Sequence, residues 1–321
     1  MPRSELRAPT IAEIEAARER LDGLALRTPL VPYRGPADTP IHLKLENLQP
    51  IRSFKLRGAG NALRQTDPRA LEAGVVTASA GNMAQGVAWC AREMGLACRV
   101  VVPDHAPVTK LEALARLGGT ARKVPFATWW DIIESGRVEG DPGFFLHPVC
   151  DPRVMAGNGT IGLEILEDLP NAATILVPFG GGGLSTGIAV AVKARRPDAR
   201  VLACEVETAA PLSASMAAGE IRTIDYEASF IDGIGGRSVL SAMWPLVRDR
   251  IDGTVVVSLA EAAEAVKLMI QHNCVVPEGA GAVSLAAALS GRAGEGPIVC
   301  VVSGGNIDTE LLASVLNGTW R

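Results

Sequence analysis

Thr174-Ile175-Leu176-Val177-Pro178-Phe179 runs without a break into Gly180-Gly181-Gly182-Gly183, and then into Leu184-Ser185-Thr186-Gly187-Ile188. The first six residues are apolar and β-prone, and the segment from 184 to 194 has helical spacing, so the glycines sit between a strand and a helix. Four glycines let the backbone wrap closely around a ligand, and the following helix offers unpaired N–H groups and a favourable dipole. Such a loop suits a phosphate. A purely structural turn would be weakened by so much glycine. The loop lacks the Lys-Ser/Thr of a P-loop, and G-x-G-x-x-G followed by a suitably placed acid is also missing, so nucleotide hydrolysis and dinucleotide binding are disfavoured.

The same alternation extends outward in both directions. Towards the N-terminus the pattern predicts a helix opened by the Thr10/Glu13 capping box and a strand over 42–46. A helix over 54–64 follows, then strands over 75–79, 99–102 and 121–124, with helices over 83–94 and 108–117 between them. A helix over 160–167 precedes the glycine loop, with Gly157 and Gly159 read as punctuation. Beyond the loop come a strand over 201–206, a helix behind the Ser258/Glu261 capping box, and a strand over 298–302. Short continuous Val/Ile/Leu strands separated by helices predict an α/β fold with mostly parallel, helix-covered sheets.

Composition narrows the function classes. In 321 residues, 48% hydrophobic content and a net charge of -4 describe a globular chain without a dominant basic surface, so nucleic acid is not an expected partner. No apolar run reaches the length of a membrane span, and residues 1–20 show no secretory pattern, so the expectation is a cytoplasmic protein. Six scattered cysteines form no C-x-x-C pair and read as reduced thiols, mostly buried; four histidines form no motif, and no metal site is expected.

Three more glycine-marked turns stand where chemistry collects. Ser53-Phe54-Lys55 lies at a loop-to-helix junction, where a lone lysine is usually a solvated surface charge and a phosphate-bearing cofactor would make it a Schiff-base lysine. Ser79-Ala80-Gly81-Asn82-Met83 joins a strand to a helix, and its N–H groups could take a carboxylate. Ser303-Gly304-Gly305-Asn306 ends the last apolar strand. Together with the tetraglycine loop they suggest one crevice.

In this order, with Leu56-Arg57-Gly58-Ala59 after Lys55, Ala156-Gly157-Asn158-Gly159-Thr160 and Pro277-Glu278-Gly279-Ala280-Gly281, the chain resembles fold-type II pyridoxal-phosphate (PLP) enzymes. It looks like their serine/threonine dehydratase (ammonia-lyase) branch, which includes serine racemase. The resemblance implies two domains, a large one from 1–73 and 149–321 and a small mobile one from 74–148, and a homodimer or homotetramer. It implies that Lys55 binds PLP covalently and then acts as acid and base. Phe54 would lie beside the ring, Asn82 on its hydroxyl, and Gly180, Gly181, Gly182, Gly183 and Leu184 around the phosphate. Ser303 would face the ring nitrogen, with Gly233 and Glu278 nearby, while Ser79, Ala80, Gly81, Asn82 and Met83 would hold the substrate.

The implied reaction is dehydration and deamination of a 3-hydroxy amino acid such as L-threonine or L-serine to a 2-keto acid and ammonia. Thr128-Trp129-Trp130, Met83 and Val149 raise a bulkier substrate, phenylserine or 3-hydroxyaspartate, as an alternative to core packing. A β-replacement synthase and a non-catalytic PLP binder are further alternatives, and retention of Lys55 argues against the latter. Racemisation is disfavoured because Ala80 stands where the family's racemases place a proton-carrying serine. The family's divalent-cation site would begin at Glu205, but Pro211 occupies the place of an expected carboxylate ligand.

Overall fold

The computed structural model describes residues 6–320. In chain order its elements are α1 (Ile11–Arg20), β1 (Leu30–Pro32), β2 (Ile41–Lys44), α2 (Lys55–Gln65), β3 (Val75–Ala78), α3 (Asn82–Glu93), β4 (Cys98–Pro103), α4 (Val108–Arg116), β5 (Gly119–Val124), α5 (Phe126–Ser135) and β6 (Phe144–Phe145). Then follow α6 (Pro152–Asp168), β7 (Thr174–Pro178), α7 (Gly183–Arg195), β8 (Arg200–Val206), α8 (Pro211–Ala218), α9 (Trp244–Arg248), β9 (Gly253–Val257), α10 (Leu259–Asn273), α11 (Gly279–Leu289), β10 (Ile298–Val301) and α12 (Thr309–Asn317).

Two sheets form. One has six strands in the order β1-β2-β10-β7-β8-β9, and only the β1–β2 pair is antiparallel. The other is all parallel in the order β5-β4-β3-β6, with Val75 opposite both Cys98 and Phe144. The larger sheet is buried on both faces, and alternation along its strands decides which side each residue serves. Leu176, Cys204, Val255 and Cys300 pack beneath α10 and α11. Ile175, Val177, Ala203 and Val299 pack against α6, α7 and α9. In the smaller sheet Val75, Val100 and Val102 share a core with α2 and α3, so α2 is packed from one side by α3 and from the other by α6.

α6 departs from the sequence expectation. It begins at Pro152, capped by the Asp151 carboxylate on the Arg153 N–H, and runs straight through Gly157 and Gly159. Their role is close approach. A Cβ on Gly157 would lie 2.3 Å from the Arg57 carbonyl oxygen, and one on Gly159 would lie 2.8 Å from the Gly187 carbonyl. The helix accepts glycine's entropic cost because α2 and α7 press against it. Of the cysteines, Cys90, Cys98, Cys204 and Cys300 are buried thiols, whereas Cys274 is exposed.

Candidate active site

The glycine loop leaves β7 and opens α7, as its sequence implied. Phe179 anchors its start by donating its N–H to the Cys204 carbonyl at 2.9 Å, and Thr186 closes the first helical turn onto Gly182. Between them, no acceptor among the described residues takes the N–H groups of residues 180–185. A helix N-terminus with consecutive free donors is an anion cradle. Gly182 has φ +91°, a left-handed conformation that disfavours a side chain. The glycines also serve packing. A Cβ on Gly181 would sit 2.6 Å from Val149, and one on Gly182 would sit 2.8 Å from Val247, while one on Gly180 would make only ordinary contact, at 3.6 Å from Ile234 and 3.7 Å from the Gly233 carbonyl. His147 holds Val149 in place: its Nδ1 accepts from the N–H groups of Val149 and Cys150, while its Nε2 meets the Ile133 carbonyl at 3.0 Å.

A second set of free donors starts α3. The Gly81 N–H turns back onto Ser79 Oγ at 3.2 Å, and no described acceptor takes those of Asn82, Met83 and Ala84. A Cβ built on Gly81 would meet nothing within 4 Å, so this turn borders open space. Two helix N-termini, one behind each sheet, thus present unpaired donors.

Lys55 is the first residue of α2, and Gly86 of α3 presses on its backbone, where a Cβ would lie 3.2 Å from the Lys55 carbonyl carbon. Its Nζ lies 4.9 Å from the centre of the Phe54 ring. Desolvation lowers the Lys55 pKa from 10.5 to about 8, and the Glu278 carboxylate opposes that fall. Most of the ammonium's ordinary preference for charge is therefore lost.

Glu278 caps α11 at the meeting point of three segments. Asn82 Nδ2 donates to both of its oxygens at 2.8 and 3.1 Å, and the Asn306 N–H donates at 3.2 Å. Asn306 Nδ2 then joins Asn82 Oδ1 to the Ile51 carbonyl, each at 2.8 Å. Gly304 leaves room for this carboxylate, because a Cβ there would lie 2.6 Å from Oε1, and a Cβ on Gly233 would lie 3.1 Å from the same oxygen. Burial pushes the Glu278 pKa up to about 7 against the hydrogen bond from Asn82, with Asp232 adding to the rise. Ser303 follows β10 by two residues and is buried; its carbonyl accepts from the Phe54 N–H at 3.1 Å, while its hydroxyl has no partner among the described residues.

The structure thus brings Lys55, Phe54, Asn82, Glu278, Ser303 and the two free helix starts into one neighbourhood, and it engages the side chains of three others in packing. Met83 is buried in the core beneath α3, so only its N–H is on offer. Val149 buttresses the glycine loop, and Trp129 packs with Val76, Val101 and Ile132. They supply no argument for a bulkier substrate. A cavity of about 1080 Å³, between Ile133, Phe145 and His147 on one side and Leu240 and Pro245 on the other, is lined by none of the predicted site residues.

Glu205, where the family's cation site would begin, is occupied otherwise. Its carboxylate accepts from the Leu212 N–H at 2.8 Å and from the Ser213 N–H and hydroxyl, both at 2.7 Å. These donors at the start of α8 satisfy the buried carboxylate. Sequence reading also passed over Arg57. Its guanidinium is buried between Glu46 and Glu164, and Lys44 completes a group of two cations and two anions.

The residues fit PLP. Free N–H groups suit a dianionic phosphate, a low-pKa lysine suits its aldehyde, and an unpartnered hydroxyl is available for its ring. Comparison with known proteins agrees. A family model described as "Pyridoxal-phosphate dependent enzyme" matches residues 21–304. A Geobacter sulfurreducens protein named L-threonine ammonia-lyase is 39% identical over 311 residues, spanning 94% of this chain and 77% of that one. An Escherichia coli strain K12 protein named L-threonine dehydratase catabolic TdcB is 37% identical over 319 residues, 95% of each. Among solved structures, maize serine racemase matches with TM-score 0.87 at 32% identity over 97% of this chain and 98% of that one. A threonine deaminase from T.th. matches with TM-score 0.87 at 33% identity over 94% and 99%. The two helix-covered, mostly parallel sheets are the fold-type II arrangement, and the chain belongs to the pyridoxal-phosphate dependent enzymes.

Proposed function

We propose that this protein is an ammonia-lyase converting a 3-hydroxy amino acid, L-threonine or L-serine first, to a 2-keto acid and ammonia. The observation that carries the reading is Lys55, a lysine of lowered pKa beside the Phe54 ring and under the influence of Glu278, in a site that also holds two sets of unpaired helix N–H groups. The relatives named for threonine deamination support it.

In this reading Gly180, Gly181, Gly182, Gly183 and Leu184 hold the phosphate of PLP through N–H groups. Phe54 would lie beside the ring, Asn82 would turn a donor from Glu278 to its hydroxyl, Ser303 would face its nitrogen, and Gly233 and Glu278 would border it. Bound there, PLP supplies an electron sink for negative charge at Cα of the amino acid. The turn of Ser79, Ala80, Gly81, Asn82 and Met83 orients the substrate by its carboxylate, with Asn82 and Met83 giving N–H groups. Lys55 Nζ would take the Cα proton, and the burial that lowers its pKa to about 8 in the cofactor-free protein favours the neutral amine this requires. Ser303 offers a hydroxyl where an aspartate would enforce a full positive charge on the ring nitrogen. A weaker sink of that kind would favour loss of the β-hydroxyl, which would leave as water with the proton that Lys55 took from Cα. Ala80 carries no exchangeable proton, so the face opposite Lys55 has no donor from this position. Release of the enamine and its hydrolysis by water then give keto acid and ammonia.

Closure of residues 74–148 against 1–73 and 149–321 would exclude water while elimination proceeds. We assign the protein to the cytoplasm as a homodimer or homotetramer; no helix among the described residues is long and apolar enough to cross a membrane. The test is keto-acid release from PLP-loaded protein over 3-hydroxy amino acids of both configurations, with Lys55→Ala as control. Release from L-threonine or L-serine that disappears in Lys55→Ala is expected. Near-normal turnover in that variant, with contaminating enzyme excluded, overturns the assignment.

A further inference from the structure

Lys55 and Arg57 stand two residues apart on α2, so their side chains leave the helix about 200° apart. Lys55 is partly exposed and serves the site, whereas Arg57 is buried in the layer behind it. Arg57 Nε and Nη2 each donate to Glu46 at 2.8 Å. Nη1 and Nη2 donate to Glu164 at 2.6 and 2.9 Å, with further bonds to Thr160 Oγ1 and the Leu26 carbonyl, each at 3.0 Å. Lys44 adds a second cation, donating to Glu164 and to the Thr28 carbonyl. The four charges balance, and none of their side chains is more than 6% exposed.

A buried ionic group of this kind is weak evidence of stability, because apolar side chains of similar volume often do as well. What it supplies is direction. A planar fork gripped by two carboxylates from separate elements has one register, whereas a greasy contact tolerates rotation. The start of α2 needs such a restraint. Phe54 provides no side-chain cap, and the bonds from Lys55 N to Ser53 Oγ and from Leu56 N to Ser53 O are long, at 3.4 and 3.5 Å, so that the first firm bond of the turn is from Arg57 N to Phe54 O at 2.9 Å.

The grip is continuous with the phosphate cradle. Glu164 belongs to α6, whose Gly157 lets the Arg57 carbonyl approach closely. Two residues on, Gly159 meets Gly187 of α7, where a Cβ on Gly187 would lie 2.2 Å from the Met155 carbonyl. α7 starts at the glycine loop. We propose that Arg57, held by Glu46 and Glu164, is a positioning residue that fixes the rotation of α2 and so the placement of Lys55 Nζ relative to the N–H groups of residues 180–185. The proposal rests on the reading of Lys55 as the PLP lysine and of those N–H groups as the phosphate cradle.

The test uses Arg57→Lys, which keeps the charge and loses the fork, and the charge-balanced pair Lys44→Met/Glu164→Gln, which removes half of the grip. Apo-protein is titrated with pyridoxine 5'-phosphate, which has the phosphate but no aldehyde, and is separately mixed with PLP to follow its covalent capture by absorbance. Circular dichroism monitors the fold, and borohydride reduction with peptide mass spectrometry locates the label. Pyridoxine 5'-phosphate affinity within about twofold of wild type, with capture slowed at least tenfold, is expected from a lysine displaced by about an ångström. Unchanged capture overturns the proposal, as does an equal loss of both readouts with a loss of fold, which marks a structural role only. If Arg57→Lys does not fold, the charge-balanced pair decides by the same criteria. A borohydride-stable label on another residue in wild-type protein would instead refute the underlying reading of Lys55.

Discussion

Replacing Glu278 by glutamine should move the pH at which Lys55 captures PLP, and the structure sets the direction. Two opposing influences act on the Lys55 amine: desolvation lowers its pKa, and the Glu278 carboxylate raises it, leaving it at about 8 rather than 10.5. That fall of roughly 2.5 pH units multiplies the reactive, neutral fraction at pH 7 by roughly 300. The glutamine would keep the size of the side chain and an oxygen for Asn82 Nδ2, while removing the charge. Desolvation would then act unopposed, and the Lys55 pKa should fall below about 8.

The assay is the rate of PLP capture by apo-protein between pH 6 and pH 10. Wild type should lose rate as pH falls through about 8, where Lys55 becomes protonated. In Glu278→Gln the midpoint should move down, and below it each pH unit of movement gives about tenfold in rate. Because Glu278 itself loses its charge below about pH 7, the two profiles should converge at the acidic end. The same signs apply to apo-protein stability. Lys55, lowered in the folded state, contributes stability present above pH 10.5 and lost as pH falls through about 8. Glu278, raised in the folded state, contributes stability present below pH 4.5 and lost as pH rises through about 7. A capture midpoint that stays put or moves upward in Glu278→Gln refutes the coupling.

Further outcomes follow from the same geometry. Gly180→Asp should weaken PLP binding strongly with less effect on folding, since a Cβ there meets its neighbours no closer than 3.6 Å and the added charge would repel a phosphate; an unchanged PLP titration would place the phosphate elsewhere. Gly182→Asp should instead destabilise the apo-protein, because it combines φ +91° with a 2.8 Å approach to Val247, and thermal unfolding reads the difference. Mg²⁺, Ca²⁺ and EDTA should each leave melting temperature and turnover unchanged, because the Glu205 carboxylate already has three donors from α8; a cation-dependent rise in melting temperature would show that the carboxylate is available to a metal. Elimination should greatly exceed racemisation, and Ala80→Ser should raise the racemising share by restoring a hydroxyl at that position; chiral chromatography of residual serine alongside a keto-acid assay checks this, and faster build-up of the opposite enantiomer than of pyruvate in wild type defeats the reasoning.

The glycine loop was legible in the sequence because its demands are local. A strand, four residues without side chains and a helix start are contiguous, and each follows from residue type. β3, β4, β7, β8 and β10 were legible for the same reason, as unbroken apolar runs between helices. α6 was cut short because Gly157 and Gly159 look like breakers. Only the pressure of the Arg57 and Gly187 carbonyls, from helices distant in sequence, makes glycine the residue that fits there. β6, with two residues, and β1, with three, are too short to show a period.

What the sequence could not display was who faces whom. Lys44, Glu46, Arg57 and Glu164 look like ordinary solvated charges, since nothing in a single chain marks residues 120 positions apart as partners. Glu278 was placed near the ring only by resemblance, and its contacts with Asn82 and Asn306 exist only once both sheets are assembled. The same holds for Lys55. As a helix-start lysine it is expected in water, and its lowered pKa is a property of the packed site. Reactivity here is made by tertiary burial acting on a common side chain. The motif singles out Lys55 as the proposed PLP lysine; the surrounding helices lower its pKa, and the proposed role of the Arg57 grip on α2 is to set where it points.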